Sequence, residues 1–196
     1  MGLFGKPRIE DDERVRCLAH EEAVIRVSAF WDRESDLFNS TLVKYLNSVT
    51  ENPLAAREVC RAANRLVQAA QEVICRHEAI QPVPGAALRM RGTYSSYFLC
   101  IKDWAESTLA AMEALANGMT PCYEYVQQLV GKYESAWCTA QEEDKKFLER
   151  LGLTADEIEA SLRTIHRDYD AAKTDSWQPE PCTNDFSEAG EIPQQV

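Results

Sequence analysis

Apolar residues along this chain recur at helical spacing, and nearly every long segment carries them. From Pro7 to Pro53 there is neither glycine nor proline, and Val24, Val27, Trp31, Phe38, Leu42, Tyr45 and Val49 follow one another at steps of three, four or seven. That spacing places them on one side of a helix. The pattern predicts a long first helix over roughly 11–50, with Asp11, Asp12 and Glu13 suiting the positive end of its dipole. Only the step across Glu34 and Ser35 lacks an apolar residue, so a kink or break near Asp32–Ser35 stays open.

Asn52-Pro53 reads as a capping residue followed by proline at the first helical position. The second helix, about 53–80, has the cleanest seam: Val59, Ala63, Leu66, Ala70, Val73, His77 and Ile80 alternate steps of four and three. Prolines 82 and 84 stop it. Thr93 then looks like the cap of a central helix over 93–117, apolar around most of its circumference through Tyr97, Phe98, Ile101, Trp104, Leu109, Met112 and Leu115. Its charges, Lys102, Asp103, Glu106 and Glu113, argue for burial among other helices rather than a membrane span. Asn117-Gly118 ends it.

A fourth helix follows from Thr120-Pro121 to about Leu151, with Val126, Leu129, Tyr133, Ala136, Trp137, Ala140, Phe147 and Leu151 on its buried face. Thr154 and Glu157 form a capping box for a fifth, whose face is Ala155, Ile158, Leu162, Ile165, Tyr169 and Ala172. The predicted fold is an all-α bundle of about five helices, organised as a flexible leader over 1–10, one domain over 11–174 and a disordered acidic tail over 175–196.

Charge sharpens this picture. The chain of 196 residues has a net charge of -11, which disfavours general nucleic-acid binding. Residues 53–102 carry 7 Lys/Arg against 3 Asp/Glu, whereas residues 134–196 carry 6 against 15, so the two regions suit mutual neutralisation within the fold or between subunits. Seven dispersed cysteines without a C-x-x-C pair, and an N-terminus without a secretory apolar core, predict a cytoplasmic protein. Leu3, Phe4 and Lys6, aided by the basic 53–102 region, suit a membrane surface, and Lys6 stands where a myristoylation pattern wants Ser or Thr. The negative charge ranks membrane association last.

The chemistry-bearing residues are sparse. Three positions before His20, His77 and His166 stand Cys17, Ile74 and Arg163, so no Glu-x-x-His pair exists for a di-iron centre, and H-E-x-x-H is also absent. No metal and no cofactor are expected. His20-Glu21-Glu22 is read as a solvated face, and His166 with Asp170 as an ordinary pair one turn apart. His77 is the one polar residue in the second seam. Arg89, Arg91, Gly92 and Thr93, ahead of Tyr94 and Tyr97, combine guanidinium groups with an expected helix N-terminus and an aromatic wall, which defines a generic anion site. The sequence thus favours a non-catalytic interaction, scaffold or adaptor module that binds a protein partner or itself. The alternative is an anionic-ligand-binding bundle, or an enzyme, with its site at the start of the central helix.

Overall fold

A computed structural model describes residues 11–154 together with 156, 157 and 160. It is all-helical in these residues: α1 (Asp11–Tyr45), α2 (Pro53–Ala79), α3 (Leu88–Ala116) and α4 (Tyr123–Arg150), with single 3-10 turns at Leu46–Ser48 and Gly85–Ala87. The helices run up, down, up, down. α2 packs on α1 and α3, and α3 on α4. Among the described residues no helix is long and apolar enough to cross a membrane.

α1 is continuous for 35 residues, about 52 Å at 1.5 Å per residue. The apolar gap in its stripe is filled by a charge. Glu34 is buried and accepts from Arg65 of α2 at 2.6 and 3.1 Å and from the neighbouring Arg33 at 3.0 and 3.3 Å. An ion pair therefore takes the place of a hydrophobic contact, and the helix has no reason to break. Asn52 caps α2 as its sequence implies, its Oδ1 accepting from the Leu54 amide at 3.0 Å. The seam Val59, Ala63, Leu66, Ala70, Val73 and His77 is buried throughout.

α3 begins at Leu88, five residues before the expected cap at Thr93. The 3-10 turn at Gly85–Ala87 leads the chain directly into helix, and buried Met90 anchors the first turn. Thr93 lies inside the helix with its hydroxyl donating to the Met90 carbonyl at 2.7 Å. At the other end Gly118 takes φ +71°, and the Met119 amide reaches back to the Ala114 carbonyl at 2.9 Å, the left-handed stop that glycine favours. Four helices are present among the described residues. The Thr154–Glu157 capping box is formed, the Glu157 amide donating to Thr154 Oγ1 at 3.3 Å and the Thr154 amide to Glu157 Oε2 at 2.7 Å. Most of the expected fifth helix, the N-terminal leader and the acidic tail lie outside the described residues.

The middle of the bundle is an aromatic layer. Trp104 meets Trp31 edge-on at 6.0 Å and stacks on Tyr133 at 6.0 Å, while Tyr97 lies 5.0 Å from Trp137 and 5.6 Å from Tyr133. Such pairs add to the burial energy of large rings. Tyr97 is 1% exposed within this layer, so it serves the core.

Candidate functional site

At the end of the bundle where α1 and α3 begin and α2 and α4 end, the interior turns polar. His20 and Glu21 of α1, His77 of α2, Tyr94 of α3 and Asp144 of α4 are all buried. Position explains why. His20 and Glu21 fall three and four residues after buried Cys17 and ahead of buried Val24; Asp144 falls four after Ala140 and three before Phe147. Each occupies a place where the apolar period calls for a hydrophobic side chain. Only Glu22 of the His20-Glu21-Glu22 run is solvated, paired with Arg26 at 2.6 Å. The expectation of a solvated face is thereby corrected for His20 and Glu21.

Four of these five groups leave buried atoms without a hydrogen bond among the described residues. Among the described residues, both ring nitrogens of His20, Nε2 of His77, Oε1 of Glu21 and Oδ1 of Asp144 have no partner. A buried polar atom left unsatisfied costs about 1–3 kcal/mol. Ring contacts fix the surroundings: His77 meets Phe98 edge-on at 5.0 Å, and Tyr94 lies 5.9 Å from the same ring.

Ionisation responds accordingly. Burial, then the nearby Asp144 and Glu22, raise the Glu21 carboxyl to about 8. Burial raises Asp144 to about 7. His77 is pushed down to about 4 by burial, then by Arg91 and His20, and His20 is lowered by burial and Arg91. The Tyr94 hydroxyl is raised by burial, then by Asp144 and Glu21. Two carboxyls and two imidazoles are thus favoured in their neutral forms around neutral pH.

The cations nearby are engaged elsewhere. Arg91 donates to the Ile80 carbonyl at 2.7 Å and the Glu78 carbonyl at 3.2 Å, satisfying the free carbonyls that close α2. Arg89 and Arg150 hold the buried carboxylate of Glu143 at 3.1 and 2.9 Å. Among the described residues no three His, Cys, Asp or Glu side chains are grouped so as to hold a metal ion.

The residues singled out from sequence therefore divide. His77 and Tyr94 belong to the interior cluster, and Arg91 borders it. Arg89, Gly92 and Thr93 face the other way, lining a surface groove of about 920 Å³ between α3 and α4 together with Ser96, Cys100 and Lys132. The N-terminus of α3 lies at Leu88, so Arg89 falls in its first turn and Gly92 and Thr93 fall inside the helix. His20, Glu21 and Asp144 were not among the sequence candidates, although the interruption of an apolar period by an acid or imidazole is a readable signal. His166 and Asp170 lie outside the described residues. The chain matches no known protein family, no curated protein and no solved structure.

Proposed function

We propose that this protein is a non-catalytic binding bundle whose interior cluster of His20, Glu21, His77 and Asp144, floored by Tyr94, takes up a small polar ligand. One observation carries the reading: five buried nitrogen and oxygen atoms from α1, α2 and α4 have no hydrogen-bond partner among the described residues. Apolar side chains of similar size would fill these places without that cost, so the polar ones point to a use that offsets it. Dispersed free thiols, six of them among the described residues, support a reducing cytoplasm as its setting. Native mass spectrometry of the freshly purified chain tests the reading. A discrete added mass, lost in a Glu21→Leu/Asp144→Leu variant that remains folded, supports it. A bare chain, stabilised by no polar small molecule offered, shows a cluster filled by water alone and rejects it.

A second reading, the interaction or scaffold module that binds a protein partner or itself, draws on the opposite end of the bundle. There Val43, Leu54, Met119, Tyr123 and Tyr125 flank the α1–α2 and α3–α4 turns, each at least half exposed. Exposed apolar residues gathered at one end suit association. Sedimentation at micromolar concentration discriminates: association weakened by Tyr123→Ser/Tyr125→Ser supports this reading, and a monomer that finds no protein partner removes it.

A further inference from the structure

We infer that the ligand of the interior cluster is a small organic ammonium ion, seated between Glu21 of α1 and Asp144 of α4 against the rings of Tyr94 and Phe98. The inference rests on the reading above and adds the charge class of the ligand.

Four observations lead there. The first is a contrast on α4. Glu143 and Asp144 are adjacent and both buried, yet among the described residues Glu143 has two arginines and Asp144 has none, and Glu21 is equally without a cation. The second is the nature of the free atoms. Each neutral imidazole offers one acceptor nitrogen and each ionised carboxylate only acceptors, and an ammonium group brings three N–H donors and the missing charge. The third is the meeting of the two acids from different helices, with Asp144 of α4 near enough to Glu21 of α1 to help raise its carboxyl after burial does. The fourth is the wall, where the rings of Tyr94 and Phe98 lie together beside His77, and aromatic rings suit a cation that is not fully hydrated.

The same observations exclude the competing charge classes. An anion entering here would meet two acids with Arg91 already spent on carbonyls. A bare metal ion needs donors at roughly 2.0–2.6 Å, and the described side chains are not grouped for that. Ammonium hydrogen bonds are longer, about 2.7–2.9 Å, and can be accepted by oxygen and nitrogen alike.

Proton release accompanies binding. The charged and titratable groups facing the site are His20, Glu21 and Glu22 on α1, His77 on α2, Arg91 and Tyr94 on α3, and Asp144 on α4, with Glu143 tied to Arg89 and Arg150. An entering ammonium favours the ionised forms of Glu21 and Asp144, and their protons leave to solvent. Binding therefore tightens as pH rises.

The test titrates the full chain with n-butylammonium, n-butanol and butyrate by calorimetry and thermal melting, at about pH 6 and about pH 8. The chain is compared with Glu21→Gln, whose amide cannot ionise, and with Glu124→Gln at an exposed position of α4. The expected result is binding of butylammonium alone, at least about tenfold tighter at the higher pH, weakened about tenfold or more in Glu21→Gln and unchanged in Glu124→Gln. Binding of butanol or butyrate instead, lost in Glu21→Gln, keeps an interior ligand site and overturns the cation. Binding of none of the three overturns the inference, and protection by another polar compound that Glu21→Gln abolishes then leaves the underlying reading standing.

Discussion

Glu143 and Asp144 are neighbours on α4 and both buried, but Arg89 and Arg150 hold the first while burial alone acts on the second. The difference predicts opposite responses to mutation. Replacing the unpaired acid of α1 opposite, Glu21→Leu, removes a buried unsatisfied group and is expected to stabilise the fold by about 1–3 kcal/mol in urea denaturation at about pH 8. A loss of stability of that size would assign Glu21 to structural support. Where a buried acid is paired, removing the partner does harm. Arg65→Ala leaves Glu34 with Arg33 alone and is expected to cost about 1–2 kcal/mol, below the usual loss for a buried pair because Arg65 is itself exposed. No change in midpoint would show that Arg33 suffices.

At the scale of elements, most of the architecture was legible because helices announce themselves by period and by punctuation. The α2 seam, the Asn52 cap, the Gly118 stop and the Thr154–Glu157 box all stand where their residues imply. The start of α3 was not legible, because Thr93 resembles a cap while the true start at Leu88 has no side-chain cap. The site was half legible. His77 and Tyr94 drew notice as a polar group in a seam and an aromatic beside arginines, whereas His20 and Glu21 passed as a solvated face, as charged residues ordinarily are, and Asp144 drew no notice. Their spacing from Cys17, Val24, Ala140 and Phe147 was the neglected information. One element carries a plain liability: Gly131 sits inside α4, where an added Cβ meets nothing within 4 Å. Gly131→Ala is expected to raise stability by up to ~1 kcal/mol, read as a higher midpoint on melting. An unchanged or lowered midpoint would mean that the groove it lines is filled.

For the whole molecule, the cluster sets how stability depends on pH. Glu21 and Asp144 bind protons more tightly folded than unfolded, so stability falls as pH rises from their ordinary values toward about 8 and about 7. His77 and His20 act in the other sense, staying neutral in the fold while the unfolded chain protonates below about 6.5, so stability falls as pH drops from there toward about 4. The two effects offset one another in mildly acid solution. Above about 6.5 the carboxyls act alone, and the free protein is expected to lose about 2 kcal/mol between there and about pH 8. A bound cation reverses that trend by stabilising the carboxylates. Equilibrium unfolding across this range, with and without butylammonium, reads both signs.

The central claim is that two uncompensated acids face one another inside the bundle. Carbon-detected NMR titration of the Glu21 and Asp144 carboxyl groups in the ligand-free chain addresses it most directly. The account predicts apparent values near 8 and 7, well above the ordinary carboxylate range, with Glu21 falling but still held up by burial when Asp144→Leu removes its neighbour, and falling further when a cation binds. Titration of Glu21 and Asp144 at about 4, as solvated carboxyls titrate, would contradict it.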